Sequence, residues 1–206
     1  MSNQACPPRI RVPEHPADPI FVNRWSPRGF NPDQISEEVL NTFFEAARWA
    51  PSGFNSQPWR FLYVLRGQTE FEAFLAPLID FNQGWARHAA ALIYLLSRKN
   101  FSPAGKSQQQ FSRTHSFDTG AAWANFANQA TALGWGAHGM SGFDMEKARA
   151  LLRVPEGFAV EIAIAVGRKG DGAHLPLSLL EREQPSSRSP VDHFVARGVF
   201  PERFRN

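Results

Sequence analysis

The sequence predicts one domain that mixes helices and strands. Its 206 residues are 43% hydrophobic and 13% aromatic, which is enough apolar material for one sizeable core. Helical spacing and strand-like alternation both occur along the chain, without an internal repeat. Neither a GxGxxG nor a Walker motif is present, so a Rossmann or P-loop fold is not indicated. Residues 1–20 are rich in proline and predict a flexible arm or a strap over the surface, and residues 21–206 then form the domain.

Capping residues and apolar spacing predict the helices. Ser36, followed by two glutamates, favours the start of a helix that Pro51 ends. Asp118 begins a long helix rich in alanine and glycine, which closes at Gly134. Two shorter helices are predicted over 68–78 and 144–154.

Three apolar stretches predict strands. FLYVL at 61–65 and the apolar run at 89–97 are typical of buried core strands. Residues 159–167 alternate branched apolar residues with alanine and glutamate, which is a strand pattern. The polar stretch 102–116 predicts a loop or a short helix.

Charge and cysteine content exclude several classes. The net charge is +3, but the basic residues are spread along the chain rather than gathered into a stripe, which argues against a nucleic-acid-binding protein. Most of them are arginines, whose forked guanidinium groups suit small anions such as phosphate. One cysteine rules out an internal disulfide and CxxC-type metal sites. Without an apolar leader or a stretch long enough to span a bilayer, the chain is expected to be cytoplasmic.

Three polar segments stand out and are interpreted as loops beside regular elements. They are NRWSPRGF (23–30), APSGFNSQPW (50–59) and HGMSGFD (138–144), with a weaker fourth, PSSRSPVDHF (185–194). Together they offer guanidinium groups, hydroxyls, amides and glycine-supported backbone groups. That inventory suits an extended ligand with an anionic end, a polyol middle and a planar heterocycle. No metal-ligand cluster, GxSxG elbow or close pair of acids is present.

In their order and spacing, these segments resemble the FMN-dependent nitroreductase family over roughly residues 22–200. The matching motifs are Arg24–Phe30, Ala47–Trp59, Asp118–Asp144 and Arg188–Pro190. The resemblance implies an α+β fold, with a central, mostly antiparallel sheet flanked by helices, in a domain-intertwined homodimer. It also implies FMN as cofactor, NAD(P)H as co-substrate, and hydride transfer through the flavin to nitroaromatics, quinones or conjugated carbonyls by a ping-pong mechanism.

The resemblance implies three groups of cofactor-binding residues. The group at the phosphate, ribityl chain and pyrimidine edge contains Arg24, Trp25, Ser26, Arg28 and Arg188. The group at the flavin ring contains Asn82, Met140, Ser141 and Gly142. The group that reaches the flavin from the other subunit contains Pro51, Ser52, Gly53, Asn55, Gln57 and Asp118. No catalytic side chain and no metal ligand is implied.

Two departures from the family pattern affect the first group. Trp25 replaces a basic or imidazole residue, so only its backbone contact carries over. Ser186 stands where some members have a second phosphate-binding lysine, which leaves more of the phosphate charge to Arg24 and Arg188.

Simpler interpretations stay open for several residues. Asn55 and Gln57 could satisfy a turn through side-chain–backbone hydrogen bonds. Asp118 could be an N-cap, and His138 a packed, hydrogen-bonded histidine.

Other functions also stay open. The chain could be a specialised flavoenzyme acting on an aldehyde, an iodotyrosine or the flavin itself, with residues 102–116 covering the substrate. It could also be a flavin-binding module without turnover.

Overall fold

The computed structural model describes residues 10–103, 105 and 107–205, and its centre is a four-stranded antiparallel sheet. The strands are β1 (Trp59–Leu65), β2 (Ala91–Arg98), β3 (Asn100–Phe101), β4 (Gln110–Phe111), β5 (Gly136–Met140) and β6 (Phe158–Gly167). The helices are α1 (Pro19–Asn23), α2 (Glu37–Arg48), α3 (Phe71–Leu75), α4 (Asp80–Ala86), α5 (His115–Ala132), α6 (Met145–Leu151) and α7 (Leu177–Leu180). The sheet order is β1-β2-β6-β5, and β3 pairs with β4 in a separate ribbon. The predicted α+β fold with an antiparallel sheet is confirmed.

The centre of the sheet is formed by the two most apolar strands. β2 and β6 pair antiparallel, with Ile93 opposite Ile164, and both of these side chains are fully buried. β1 lies at an edge, where Leu62 and Tyr63 each keep 36% of their surface exposed. The strand predicted over 61–65 is present. The prediction that it is buried is wrong, because an edge strand has a neighbour on one side only.

Helices cover both faces of the sheet. On one face α2 and α5 pack together, and Phe43 meets Phe126 edge to face at 5.5 Å. The Ser36 hydroxyl accepts a hydrogen bond from Val39 N at 3.2 Å, which confirms the predicted start of α2. α5 closes as predicted at Gly134, whose φ of +73° is one that glycine adopts without strain. No helix in the described ranges is long and apolar enough to cross a membrane.

The predicted loop at residues 138–144 begins as a strand. Residues 138–140 belong to β5, which pairs with β6 at the edge of the sheet. Two glycines hide this strand in the sequence, since glycine weakens a strand pattern. Packing leaves little room for larger residues: a Cβ at Gly136 would collide with the ring of Pro27, and one at Gly139 would lie in tight contact, 3.2 Å from Trp123.

Candidate functional site

A cleft of about 380 Å³ lies beside the chain segment that follows α1. Its lining consists of Arg11, Arg24, Trp25, Ser26, Arg28, His138, Glu181, Arg182, Gln184, Ser186 and Arg188. The structure thus brings together the whole group expected at the phosphate, ribityl chain and pyrimidine edge. It adds residues that the sequence did not single out, from both the N-terminal arm and the segment 181–184.

Hydrogen bonds from distant parts of the chain fix the segment 24–30. The Glu183 carboxylate accepts hydrogen bonds from Arg28 N and Gly29 N, both at 2.6 Å. Gly29 O accepts another from Gly170 N at 2.7 Å. A side chain at Gly29 has no room, because its Cβ would lie 2.8 Å from Gly172 Cα. The floor of the cleft is therefore set by residues more than a hundred positions apart in the sequence.

Three guanidinium groups in the cleft repel one another. Burial, and then the charge of Arg188, lower the pKa of Arg24. Burial, followed by Arg188 and Arg24, also lowers the pKa of Arg11. Among the residues that the structure describes, none of the three forms an ion pair. An uncompensated cationic cluster of this kind is suited to a dianion such as a phosphate monoester.

Arg28 and His138 lie together on the indole of Trp85. The Arg28 guanidinium carbon is 5.9 Å from the centre of the Trp85 ring, and the His138 ring centre is 4.7 Å from it. Trp85 is itself only 1% exposed, so it supports the cleft from below. Arg28 Nε is buried without a hydrogen-bond partner in the described part of the chain. Such an orphaned donor costs stability unless a ligand accepts from it.

His138 is neutral at physiological pH. Burial, and then the charge of Arg28, lower its pKa to about 4. Its Nδ1 lies 3.0 Å from the carbonyl oxygen of Pro27. Because a carbonyl can only accept, Nδ1 carries the proton and Nε2 is left as an acceptor. The expectation of a packed, hydrogen-bonded histidine is confirmed.

The loop at 50–59 lies outside this cleft within one chain. Phe54, Asn55 and Gln57 all have positive φ values, between 45° and 54°, which bulky residues adopt with strain. The Gln57 side-chain amide donates to Asn55 O at 3.1 Å, and Gln57 N donates to Ser52 Oγ at 3.1 Å. The Gln57 side chain thus stabilises the turn, as the simpler interpretation proposed. The Asn55 amide is exposed and makes no hydrogen bond to any described residue.

Asp118 ties that loop to α5. It is only 4% exposed, and its Oδ2 accepts hydrogen bonds from Gly53 N and Thr114 Oγ1, both at 3.0 Å. The N-cap interpretation is wrong, because α5 begins at His115, with Thr114 in the cap position. Pro51, which follows the end of α2, is exposed.

The group expected at the flavin ring gathers where β5 ends. Asn82 Nδ2 donates to Gly142 O at 3.0 Å, and Ile79 N donates to the same oxygen at 3.1 Å. A Cβ at Gly142 would lie 2.7 Å from Asn82 Nδ2, so a larger residue would displace the Asn82 side chain that bonds this turn. Met140 is buried in the core, whereas Ser141 is exposed. His138, which lines the cleft, belongs to β5, and this turn follows directly after β5.

Comparison with known proteins finds a matching family and a similar solved structure. The family model described as "Nitroreductase family" matches residues 22–79 and 70–168. A crystal structure of an oxidoreductase containing FMN is 40% identical and superposes with a TM-score of 0.89, covering 98% of this chain and 99% of the other.

Two curated proteins illustrate the sequence likeness. A Bacillus subtilis (strain 168) protein named as an NAD(P)H nitroreductase, YdgI, is 38% identical over 82 residues, which is 39% of this chain and 38% of YdgI. An NADH dehydrogenase of Thermus thermophilus is 26% identical, over 89% of this chain and 97% of that protein.

Proposed function

Since the chain belongs to the nitroreductase family, we propose that it is an FMN-dependent oxidoreductase that passes hydride from NAD(P)H to electron-poor acceptors. Nitroaromatics, quinones and conjugated carbonyls are the acceptor classes expected. The class of enzyme follows from the family, from the FMN-containing neighbour and from relatives named for NAD(P)H and NADH. The acceptors and the kinetic mechanism are proposals.

The observation that carries the proposal is the cluster of Arg11, Arg24 and Arg188 in the cleft, where none of the three forms an ion pair with a described residue. Arg24 and Arg188 would hold the FMN phosphate, a dianion that two forked donors can bind. The Arg24 Nη1 atom donates to the Ser26 hydroxyl at 3.3 Å, so both side chains face the same part of the cleft. Arg28, with its orphaned Nε, would donate to the pyrimidine edge of the flavin. The donor set therefore fits FMN.

When bound, FMN supplies the redox chemistry, taking hydride from the reduced nicotinamide and passing it to the acceptor. The protein's residues would bind FMN and adjust its reduction potential. The positive charge of Arg28 favours negative charge on a reduced flavin. His138 keeps its proton on Nδ1, committed to Pro27 O, so at neutral pH it serves as a hydrogen-bond acceptor rather than an acid. No side chain needs to act as a dedicated acid or base. NAD(P)H and acceptor would use one exposed flavin face in turn, which is a ping-pong mechanism.

We propose that the enzyme is a homodimer in which the loop at 50–59 completes the partner's site. Phe54 is 85% exposed, Phe117 79% and Trp49 72%. Large apolar side chains exposed around a strained loop are typical of an interaction surface. Phe54 also stacks on Phe101 of β3 at 5.4 Å, so this loop adjoins the ribbon that leads into residues 102–109. The stretch 102–116 would cover the acceptor.

Absorbance spectroscopy tests the proposal directly. The purified protein, supplied with FMN, should be yellow and dimeric by light scattering, and anaerobic mixing with NADH or NADPH should bleach the flavin rapidly. Steady-state rates at several acceptor concentrations should give parallel double-reciprocal lines. A yellow protein that neither nucleotide bleaches would instead be a binding module. A colourless monomer, even with excess FMN, would reject the proposal.

A further inference from the structure

The segment at residues 10–18 runs across one end of the cleft and joins its two walls. Arg11 Nη1 donates to Val22 O at 2.9 Å and to Arg24 O at 2.6 Å. Arg11 Nε donates to Ser186 O at 2.8 Å, 175 residues away in the sequence. A single guanidinium therefore links the segment that carries Arg24 to the one that carries Arg188.

A carboxylate of the same segment adds a second link. Glu14 Oε2 accepts a hydrogen bond from Val191 N at 2.9 Å. The cleft wall that bears Arg188 is thus held at residues 186 and 191 by residues 11 and 14. We call residues 10–18 the strap.

Arg11 keeps donors that these contacts do not use. Its Nη2 makes no hydrogen bond to any residue that the structure describes. The side chain lines the cleft, and its pKa is lowered by burial and by the charges of Arg188 and Arg24. Glu181 is the one carboxylate in the lining, and it forms no ion pair with Arg11 in the described part of the chain.

Arg11 supplies a third positive charge near Ser186, which stands where some family members have a phosphate-binding lysine. Ser186 brings no charge to the phosphate end of the cleft, where a lysine would. The Arg11 guanidinium bonds to the backbone of that same residue. The strap therefore returns a positive charge to the place where the segment around 186 lacks one.

From this arrangement, and resting on the proposed function, we propose that the strap is part of the cofactor site and that Arg11 binds the FMN phosphate together with Arg24 and Arg188. Arg11 binds the anion through Nη2, while Nε and Nη1 hold both walls against it. The strap thus closes the phosphate end of the cleft, and its contribution depends on the phosphate group rather than on the flavin ring.

Riboflavin, which lacks the phosphate, separates this role from a merely structural one. We expect Arg11→Ala to weaken FMN binding by roughly 10- to 100-fold, the loss typical of a charge-assisted hydrogen bond. Riboflavin affinity should stay within about twofold. Both dissociation constants can be measured by quenching of flavin fluorescence on the full chain. Arg11→Lys keeps the charge but not the fork, so it should lose part of the FMN affinity and none of the riboflavin affinity.

Two control substitutions accompany Arg11→Ala: one at another residue of the strap, and one that removes an arginine elsewhere. Val12→Ala alters the strap at a residue that is 83% exposed. Arg87→Ala removes an exposed arginine just after α4, whose side chain bonds only Gln83 O, at 3.3 Å, among the described residues. Both should bind FMN as the wild type does.

The outcomes are distinct from those that test the enzyme itself. Equal losses of FMN and riboflavin affinity in Arg11→Ala would show that Arg11 only supports the fold, and unchanged FMN affinity would show that it does not touch the phosphate. Either result overturns the inference and leaves the proposed function intact. A wild-type protein that binds no FMN would instead reject the proposed function.

Discussion

The backbone N–H of Gly53 donates to the buried carboxylate of Asp118 at 3.0 Å, across 65 residues of sequence. This bond connects the strained loop at 50–59 to the first turn of α5. Because Asp118 is 4% exposed, its charge depends on these hydrogen bonds for stabilisation.

Asp118→Ala should therefore destabilise the fold. Removing the carboxylate leaves Gly53 N and Thr114 Oγ1 without their acceptor, at a cost of about 1–3 kcal/mol in the free energy of unfolding. Urea unfolding followed by circular dichroism measures it. Asp80→Ala, which removes an exposed carboxylate from the first turn of α4, should change stability by less than about 0.5 kcal/mol. Equal effects of the two substitutions would contradict the anchoring role.

Asn55→Gly should separate the backbone role of Asn55 from its side-chain role. Glycine adopts the φ of +52° without strain, so stability should change by less than about 0.5 kcal/mol. If the exposed amide reaches the partner's flavin, FMN affinity should fall by about 5- to 30-fold, the value of one or two hydrogen bonds. Arg153→Gly is the matched control, because Arg153 has a φ of +50° and is exposed. Unaltered FMN affinity in Asn55→Gly would limit this residue to shaping the turn.

His138 should make the apoprotein less stable in acid. Its pKa is about 4 in the folded chain and 6.5 in the unfolded chain, so the unfolded state takes up the proton first. Stability is complete above pH 6.5 and declines as the pH falls towards 4, by about 3 kcal/mol in all. Urea unfolding at pH 7, 5 and 4 measures the decline. His138→Gln, which has no charge to gain, should lack this part of the pH dependence, and parallel curves for the two proteins would refute the assignment.

Arg28→Ala should lower the reduction potential of bound FMN. Losing a cation at the pyrimidine edge removes about 1.5–3 kcal/mol of stabilisation from a negatively charged reduced flavin, or about 30–60 mV for two electrons. Anaerobic titration against a reference dye measures the midpoint potential. Arg28→Lys keeps the charge and should shift it less. An unchanged potential in an FMN-loaded Arg28→Ala protein would remove Arg28 from this role.

Local patterns were enough to predict the elements that local forces determine. Ser36 begins α2 because its hydroxyl caps the nearby Val39 N, and Gly134 ends α5 because it takes a positive φ. The exposure of β1 could not be predicted, because it depends on which strands become neighbours. β5 was not predicted, because its two glycines pack against Pro27 and Trp123, which are distant in sequence.

The residues of the site also differ in whether the sequence alone could identify them. The motif around Arg24 and Arg28 could be recognised because its residues are consecutive, and the cleft gathers it together with Arg188. Arg11 could not be recognised, because it stands in a segment without periodicity and meets its partner Ser186 only in the folded chain. His138 was expected to be packed, but its place against Arg28 depends on the pairing of β5 with the sheet.

The double hydrogen bond from Arg28 and Gly29 to Glu183 joins residues about 155 positions apart. During synthesis, the segment that contains Arg28 and Gly29 is made long before Glu183, which accepts their hydrogen bonds. The sheet is complete at Gly167, whereas the proposed flavin site would be complete only once residues 181–188 have been synthesised. Capture of the proposed cofactor would therefore follow the formation of the sheet.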